Sequence, residues 1–312
     1  MILAITLNPA IDKVYEIDDF TVGQVFRPKA MTSTAGGKGL NVARVARLLG
    51  EAVTVTGFIG GNNGRFILQK IQAEGIDNRF LEIGKETRIC LAVMDRNHNT
   101  STEILESGPF IEPSESGSFI SLYEKLVSKA EIITASGSLP AGLPEDIYKT
   151  LVEIAKNHQK KFILDTSGQP LKSSIGSLPF MVKPNLDELE GLLGEKIPDI
   201  TRQAIAVANL KKSGICLPCL SLGKDGCLVA MEDGVYKFSG PKVKVVNTVG
   251  SGDAFVAGCA VALQRGFGGI EVIKMAMACG IANTQFFETG MVSKELVEKF
   301  YKQISYEKIN LN

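Results

Sequence analysis

Strand-like and helical patterns alternate along most of this chain, and this alternation limits the fold more than any other feature of the sequence. Short apolar runs typical of buried strands are followed by segments with helical periodicity. Strands that alternate with helices form a mostly parallel sheet with helices on both faces. The sequence therefore predicts a doubly wound α/β fold, built as a single domain over residues 1–312.

The boundaries of the elements follow from the same periodicity. Strands are predicted at Met1–Leu7, Val53–Ile59, Glu131–Ser136, Lys161–Asp165, Phe180–Lys183, Ile215–Leu222 and Gly226–Met231. Helices are predicted at Leu40–Leu49, Gly64–Glu74, Phe119–Ser128, Pro144–Asn157, Asp187–Leu193, Thr201–Ser213, Val256–Leu263, Gly269–Phe287 and Ser293–Gln303. Polar or glycine-rich segments follow several strands, and parallel sheets bind their ligands at the carboxyl ends of the strands.

Two segments depart from this pattern. Residues 12–34 and 88–107 alternate polar and apolar side chains without a helix, and Ile89–Met94 with Thr102–Leu105 is typical of a hairpin that turns at Asp95–Thr100. These segments would form a small, discontinuous β-sheet lid over the active face. Because such a lid has free edges, we expect that it could pair with a second copy and form a homodimer.

Composition excludes several classes of partner. Lys+Arg and Asp+Glu each number 34, so no net charge attracts nucleic acid or an anionic membrane. Apolar runs fall short of membrane-spanning length, and the N-terminus lacks a basic leader, so a cytoplasmic location is expected. Most cysteines lie in apolar runs, which suits buried thiols, and Cys216 and Cys219 lack the second ligand pair of a zinc site. His98 and His158 lie in polar stretches, from which no triad or metal cluster can be assembled.

In the segment Thr248–Asp253, residues with small side chains or none directly precede an acidic residue. Gly250, Ser251 and Gly252 lead into an apolar helix, whose unpaired N–H groups and dipole favour an anion. A carboxylate repels an anion, but Asp253 could accept the proton of a hydroxyl group that attacks a phosphoryl group. The alternative is an aspartate that only caps the helix.

A second glycine-rich segment opens the first long helix. Gly36, Gly37 and Gly39 surround Lys38, but Leu40 replaces the Ser or Thr that a P-loop requires. The segment could bring backbone, the Lys38 ammonium group and the Asn41 amide to a polar ligand, or its glycines could serve tight packing at a helix start.

Two strand ends offer further polar groups. Asp12 follows the first strand and could accept hydrogen bonds from the vicinal hydroxyl groups of a sugar, or lie in an ordinary loop at a β edge. Ser136 and Gly137 end another strand and offer backbone to the same crevice.

Two later segments could serve a nucleotide and its metal. Asn185 and Glu188 lie on one helical face after Lys183, where they would suit magnesium held mostly through water, or form a capping box, or do both. The turn Ser221–Gly226 is bounded by glycines and could approach an adenosine or its phosphates, or be a simple hairpin turn.

Together these motifs resemble the ribokinase/PfkB family of sugar kinases, nearly from end to end. Gly36–Asn41 resembles the first family signature, Thr248–Asp253 the second, and Asn185 with Glu188 the N-x-x-E element. The segments Glu86-Thr87-Arg88 and Ser136–Pro140 are most similar to the branch of 1-phosphofructokinase and tagatose-6-phosphate kinase.

The resemblance implies a ribokinase-like fold and an ATP- and Mg²⁺-dependent kinase that converts tagatose 6-phosphate or fructose 1-phosphate to the bisphosphate. Asp253 would be the general base, beside an anion hole of Gly250, Ser251 and Gly252. Lys38 and Arg88 would neutralise the phosphate of the substrate. The other implied sugar contacts are Asp12, Gly36, Gly37, Asn41, Ser136 and Gly137. The implied nucleotide contacts are Lys183, Asn185, Ser221, Gly223, Gly226 and Asn283, with Asn185 and Glu188 organising the metal.

Three alternatives stand beside this hypothesis. A sensor of nucleotides or sugar phosphates could keep the fold without catalysis, although it would have no need of Asp253. Activity as a 6-phosphofructokinase is a second alternative. A nicotinamide oxidoreductase is a third, but the first strand leads to Asn8-Pro9-Ala10 rather than to a G-x-G-x-x-G turn.

Overall fold

The computed structural model describes residues 1–98 and 100–311, so Asn99, in the predicted hairpin turn, lies outside the described residues. The strands are β1 (Ile2–Thr6), β2 (Ala10–Ile17), β3 (Ala30–Gly36), β4 (Val53–Gly60), β5 (Asp77–Asn78), β6 (Leu81–Ile83), β7 (Arg88–Asp95), β8 (Thr100–Leu105), β9 (Ile132–Ser136), β10 (Lys161–Asp165), β11 (Met181–Val182), β12 (Leu217–Ser221), β13 (Cys227–Met231), β14 (Gly234–Ser239) and β15 (Ser305–Ile309).

Helices connect most of these strands. They are α1 (Lys38–Leu48), α2 (Gly61–Ala73), α3 (Pro113–Val127), α4 (Ile147–Asn157), α5 (Gly168–Ser174), α6 (Leu186–Leu193), α7 (Ile200–Lys212), α8 (Ser251–Gln264), α9 (Gly269–Asn283) and α10 (Lys294–Tyr301). Among the described residues, no helix combines the length and apolar character that a membrane crossing requires.

The central sheet has the order β15-β14-β13-β12-β11-β10-β9-β1-β4-β5, with β6 also beside β4. Neighbouring strands from β12 to β5 are parallel, and β13, β14 and β15 add an antiparallel edge. The predicted mostly parallel α/β sheet is therefore confirmed. Its parallel carboxyl ends meet along one edge, where a ligand would bind.

The two faces of the sheet are covered by different helices. Successive side chains of a strand point to opposite faces, so Ile2 and Ala4 of β1 pack in the core with α1, α8 and α9. Leu3 and Ile5 pack in a second core with α3 and α4. Helix α8 is buried on every side from Asp253 to Leu263, because it lies between α1, α9 and the sheet.

A second, four-stranded sheet contains the segments predicted as a lid. Its order is β3-β2-β7-β8, with β2 antiparallel to β3 and parallel to β7. Strands β7 and β8 form an antiparallel hairpin, as the alternation predicts. The sheet extends slightly beyond the predicted range 12–34, since β2 begins at Ala10 and β3 ends at Gly36.

The sequence predicts a pair of helices at the end of the chain, and the structure adds a strand after them. Strand β15 pairs with β14, and neither strand is in the prediction. Most of β15 is exposed and includes Glu307 and Lys308, so it lacks the apolar run expected of a buried strand. Charged side chains are common on edge strands because they discourage pairing with other chains.

Candidate active site

Polar groups follow four neighbouring parallel strands and meet at one edge of the central sheet. Ser136 ends β9, Asp165 ends β10, Lys183 comes directly after β11, and Ser221 ends β12. The strand order β9-β10-β11-β12 therefore gives the order of these side chains along the edge. The predicted sugar residue Ser136 lies at one end of this row and the predicted nucleotide residue Ser221 at the other.

The predicted general base is buried at the first turn of α8. Asp253 is only 6% exposed, and its carboxylate accepts a hydrogen bond of 2.8 Å from the Asn41 amide nitrogen. Burial raises the pKa of Asp253 from 3.8 to about 7, although the Asn41 bond opposes the shift. The carboxyl group can thus exchange a proton near neutral pH, as a general base must.

The residue directly before α8 has a left-handed backbone conformation. Gly250 has φ 81°, and a Cβ there would also lie 3.2 Å from Thr289 Cβ and from the backbone nitrogen of Gly290. Of the three amides predicted for the anion hole, that of Ser251 is already engaged, because it donates to the carbonyl of Thr248 at 3.2 Å.

Three other amides at the start of α8 remain for an anion. In the part of the chain that the structure describes, the N–H groups of Gly250, Gly252 and Asp253 have no protein acceptor. Unpaired amides of this kind, together with the helix dipole, favour an anion. The anion hole of Gly250, Ser251 and Gly252 stays a prediction, in which the amide of Ser251 is engaged and that of Asp253 is a further unpaired donor.

Two lysines share a buried carboxylate close to this helix start. Lys183 Nζ lies 3.2 Å from Asp165 Oδ1, and Lys38 Nζ lies 4.0 Å from Asp165 Oδ2. Burial alone would lower the pKa of Lys183, but Asp165 raises it above its usual value, so this ammonium group stays charged. A Cβ on Gly252 would lie 3.6 Å from Lys183 Nζ, so this charge lies close to the unpaired amides at the start of α8.

The carboxylate of the predicted sugar residue Asp12, on β2, packs against Gly36 at the end of the neighbouring strand β3. A Cβ on Gly36 would come within 2.0 Å of Asp12 Oδ2, so only glycine leaves room for the carboxylate. Burial raises the pKa of Asp12 to about 6, with Arg88 and Arg44 opposing the shift. Gly37 adopts φ 114° directly before α1, a conformation that favours glycine.

Arg88, the first residue of β7, joins the segment after β1 to the segment after β8. Its Nη2 donates to the carbonyl of Asn8 at 2.9 Å and its Nη1 to that of Glu106 at 2.8 Å. Among the described residues, buried Arg88 Nε has no acceptor, and buried Asn8 Oδ1 and Ser136 Oγ have no partner. Buried polar atoms without partners are uncommon in proteins, and a bound ligand can satisfy them.

The two cations predicted to share the substrate phosphate contact different groups. Lys38 faces Asp165, whereas Arg88 lies by Asn8 and Glu106. The side chain of Lys38 is 48% exposed, and its 4.0 Å contact is a loose pairing, so the ammonium group is still available to a ligand.

A cavity of about 430 Å³ lies beyond the end of β9. Its lining includes Ser107 after the lid hairpin, Ser138 and Thr166. Gly137 lies beside it with φ 109°, and its carbonyl accepts hydrogen bonds from Tyr148 Oη at 3.1 Å and Thr166 Oγ1 at 3.0 Å. These bonds fix the loop that follows Ser136.

A second cavity, of about 570 Å³, lies beyond the end of β12. Asn185, Ser221 and Gly223 line it, together with residues of α6, α7 and β14. Gly223 has φ 59°, and Gly226 has φ 91° with no room for a Cβ, which would meet the carbonyl of Phe238 at 1.9 Å. The left-handed backbone and the close approach of β14 both require glycine at 226, and its contact with a nucleotide stays a prediction.

Asn185 and Glu188 form the capping box that the sequence offers as an alternative. Asn185 Oδ1 accepts from the Glu188 amide at 2.8 Å, and Glu188 Oε2 accepts from the Asn185 amide at 2.9 Å. The box uses one carboxylate oxygen of Glu188 and leaves Oε1 for another partner. Capping and metal binding are compatible here.

Asn283 has a different environment from the one predicted. The residue is fully buried in α9, its Nδ2 donates to the carbonyl of Val249 at 2.9 Å, and its Oδ1 accepts from the amide of Met291 at 3.2 Å. The side chain thus fixes the segment before α8, and its predicted contact with a nucleotide would require it to become accessible.

Two residues near the site are absent from the sequence prediction. Asp165 ends a correctly predicted strand, so the rule on strand ends could have identified it. Arg44 lies three residues after Asn41 on the first predicted helix, so the i, i+3 spacing could have placed its charge beside this amide.

One cluster contradicts the expectation that no metal-ligand group can be assembled from the histidines. Asp19, Asp95 and His98 bring ligand-type atoms within 4.8 Å of one another at the lid hairpin. The carboxylate of Asp95 also accepts backbone N–H groups of Phe20 at 2.7 Å and Asn97 at 3.0 Å. These bonds explain Asp95 as the residue that closes the turn.

The model of the pfkB family carbohydrate kinases matches residues 2–294. A Staphylococcus aureus structure described as a phosphofructokinase is 30% identical, with 99% of each chain covered and a TM-score of 0.85. A Thermotoga maritima structure described as a 1-phosphofructokinase is 27% identical, with 99% of this chain and 100% of that chain covered and a TM-score of 0.91. Phosphofructokinase-2 of Escherichia coli in complex with fructose-6-phosphate is 25% identical, with 96% and 98% covered and a TM-score of 0.89. The same enzyme is known in a tetrameric inhibited form.

Proposed function

This chain belongs to the pfkB family of carbohydrate kinases, and we propose that it transfers the γ-phosphoryl group of ATP to a ketohexose monophosphate. The product would be a ketohexose bisphosphate, and tagatose 6-phosphate and fructose 1-phosphate are the proposed substrates. Each has a phosphate at one end and a primary hydroxyl group at the other. The same set of side chains could therefore serve either sugar.

The observation that carries this proposal is the environment of Asp253. Burial raises the pKa of its carboxyl group to about 7, and the start of the same helix carries unpaired amides that could bind an anion. Phosphoryl transfer needs a base for the attacking hydroxyl group beside donors for the transferred group. A helix cap needs neither the burial nor the raised pKa. One donor of this kind is typically worth about 100- to 1000-fold in rate.

The order of groups along the sheet edge supports a path for the transfer. One cavity lies at β9 and the other at β12, while Asp165 and Lys183 follow the two strands between them. In the proposed arrangement the sugar occupies the β9 side and the nucleotide the β12 side. Lys183 and the amides of Gly250 and Gly252 would then stabilise the charge of the transferring group.

Asp253 would remove the proton of the primary hydroxyl group as its oxygen attacks phosphorus. The bond between the γ-phosphorus and the β–γ bridging oxygen breaks, and ADP leaves with that oxygen. Asp12, with its backbone neighbours Gly36 and Gly37, would hold the other sugar hydroxyl groups. The amide nitrogen of Asn41 has two hydrogens, so one remains for the sugar while the other binds Asp253.

Arg88 supports a substrate that already carries a phosphate. Its Nε is a buried donor without an acceptor among the described residues, and a phosphate oxygen would satisfy it. Lys38 is proposed as the second cation for this phosphate, since its half-exposed side chain can move away from Asp165. A free sugar has no phosphate to offer Arg88 Nε, which would stay without an acceptor among the described residues.

The oxygen ligands of Asn185 and Glu188 fit a magnesium ion held mostly through water and nucleotide phosphates. The capping box leaves Glu188 Oε1 free for this task, and Asn185 lines the β12 cavity, where Ser221 and Gly223 would contact ATP. When bound, the metal would neutralise part of the negative charge of the phosphates.

Activity as a 6-phosphofructokinase is a second candidate, because the related E. coli enzyme binds fructose-6-phosphate. Fructose and tagatose phosphates differ in the configuration of one hydroxyl group, at C4. A single hydrogen bond worth ~1–3 kcal/mol would decide between fructose 6-phosphate and tagatose 6-phosphate, which corresponds to about 5- to 150-fold in kcat/KM.

The test is the initial rate of ADP production with ATP and Mg²⁺ on four acceptors: fructose 1-phosphate, tagatose 6-phosphate, fructose 6-phosphate and free fructose. We expect the highest kcat/KM with one phosphorylated sugar. Activity on free fructose alone would refute the roles of Lys38 and Arg88. Binding of these ligands without turnover would favour a sensor.

The Asp253→Asn variant separates catalysis from binding. We expect it to bind ATP and the sugar phosphate with near-normal affinity in calorimetry, because the amide keeps the shape of the carboxylate. Its kcat should fall by at least about 100-fold, since no base remains. Near-normal turnover in this variant would refute the assignment of Asp253 as base.

We further propose that the chain forms a homodimer through the lid. Strand β8 is exposed along its whole length, with Ile104 59% and Leu105 62% exposed, and Met31 of β3 is 60% exposed. Exposed apolar side chains beside an unpaired strand edge suit pairing with a second copy. The related E. coli enzyme forms a tetramer in its inhibited form.

A further inference from the structure

Arg44 makes three contacts that the proposed reaction does not use. Its Nη1 donates to Asn41 Oδ1 at 3.1 Å, its Nη2 to the carbonyl of Ala35 at 2.8 Å, and its Nε to Glu74 Oε2 at 2.8 Å. The side chain is only 13% exposed. One guanidinium group thus joins α1, the end of the lid strand β3 and Glu74, the residue directly after α2.

The contact with Asn41 decides which end of its amide faces Asp253. A guanidinium group has donors only, so the atom of Asn41 that faces Arg44 is its oxygen. The nitrogen then faces Asp253, at 2.8 Å from Oδ2. The amide nitrogen donates a hydrogen bond to the ionised carboxylate and so stabilises it. An amide oxygen in the same place would instead accept the O–H of the protonated carboxyl group and stabilise that form.

We propose that Arg44 is a positioning residue that holds the Asn41 amide with its nitrogen toward Asp253 and so keeps this carboxylate ready to accept a proton. The inference rests on the proposed function, in which Asp253 is the base. Arg44 acts on Asp253 through Asn41, and its charge separately opposes the rise in the pKa of Asp12. Its bond to Ala35, directly before Gly36, ties the same arrangement to the lid strand.

Other charged groups face Asp253 from the elements around α8. Lys38 on α1 and Lys183 after β11 favour its ionised form, and Asp165 at the end of β10 opposes it. From α9 the polar neighbour of this region is the uncharged Asn283, which binds Val249. A change at Arg44 leaves all four of these groups in place.

The titration of Asp253 tests the proposal directly. The protein is labelled with ¹³C at the aspartate carboxyl carbons, and the signal of Asp253 is identified by its loss in Asp253→Asn. In Arg44→Met we expect the midpoint to rise by about one pH unit, because the freed amide can rotate and accept a bond from the protonated carboxyl group. An unchanged midpoint would overturn the proposal.

Glu74→Gln is the matched control. It keeps an oxygen acceptor for Arg44 Nε and leaves the bonds to Asn41 and Ala35 intact, so the midpoint should equal that of the wild type. If Arg44→Met does not fold, Arg44→Lys serves the same comparison, because one ammonium group cannot reproduce the bonds to both Asn41 and Ala35. A wild-type midpoint in that variant would also overturn the proposal.

A double variant distinguishes positioning from a simple effect of charge. In the Asn41→Ala background, adding Arg44→Met should move the midpoint much less than it does in the wild type. Equal shifts in both backgrounds would mean that Arg44 acts through its charge alone and would overturn the proposal. Because the titration needs no turnover, a chain without kinase activity would refute the proposed function and leave this test intact.

Discussion

At the scale of single residues, Asp253 links burial to chemistry. Burial favours its neutral form, while Asn41, Lys38 and Lys183 favour the charge. The balance gives a pKa of about 7, so proton exchange is available near neutral pH. Asp165 contributes to this balance from the neighbouring strand end, and sequence reasoning did not identify it.

The rate of the reaction should depend on pH through Asp253. A base must be ionised, so kcat/KM should be constant above pH 7 and fall about tenfold per unit below it, with a midpoint near 7. The measurement is a pH profile of kcat/KM for the preferred sugar phosphate. An acid limb with its midpoint near 4 would mean that the carboxylate is not buried in the working enzyme.

The free energy of unfolding should also depend on the protonation of Asp253, but it should fall as pH rises, whereas the reaction rate should increase. The folded protein binds a proton between pH 3.8 and about 7 that the unfolded chain releases. The free energy of unfolding therefore falls as pH rises through this window and is level above it. Asp253→Asn should exceed the wild type in unfolding free energy by about 1–4 kcal/mol at pH 8, and match it near pH 4. Urea unfolding at the two pH values measures this difference.

Arg88 should determine the affinity for the substrate phosphate. Arg88→Met removes a charge-assisted donor, so KM for the sugar phosphate should rise about 10- to 100-fold while KM for ATP stays constant. Arg79→Met, at an exposed arginine that pairs with Asp77, serves as the control and should leave both values unchanged. Equal effects of the two variants would remove Arg88 from the substrate site.

At the scale of elements, the position of Asp253 depends on how closely α8 packs against α9. A Cβ on Gly258 would lie 2.7 Å from Ala276 Cα and 2.8 Å from the carbonyl of Met275. Both are backbone atoms, so the two helices would have to separate. Glycine at this position therefore allows the close contact that holds the start of α8 over the sheet edge.

Gly258→Ala should lower the free energy of unfolding by about 1–3 kcal/mol because it overpacks this contact. Gly191→Ala is the matched control, since Gly191 is also inside a helix but a Cβ there meets nothing within 4 Å. The control should be neutral or slightly stabilising, because alanine favours a helix. Thermal unfolding of both variants compares them, and equal losses would contradict a specific role for the α8–α9 contact.

At the scale of the whole molecule, the lid sheet leaves two strand edges, and we expect β8 to be covered by a second copy. Leu105→Glu should convert the protein from dimer to monomer in sedimentation velocity, because a charge would be buried in the interface. Leu193→Glu, at a half-exposed leucine of α6, should leave the dimer intact. A wild-type protein that sediments as a monomer at micromolar concentration would refute the interface.

The sequence by itself determined the fold class and most of the central strands and helices, because burial on two faces gives each element a regular apolar pattern. It also pointed to Asp253 and the glycines before it as candidate site residues, since their proposed chemistry depends on local order along the chain. The prediction missed the short strands β5 and β6, strand β14 and the charged edge strand β15, because their pairing depends on partner strands rather than on a strong local pattern.

Only the tertiary structure decided which side chains meet. Asn41 and Asp253 are 212 positions apart and are joined by one hydrogen bond, and no spacing rule connects them. The same holds for the engagement of the Ser251 amide, the burial of Asn283 and the contacts of Arg44 with Ala35 and Glu74. A periodic pattern records which face of an element is buried, whereas hydrogen-bond partners are fixed only when the elements pack together.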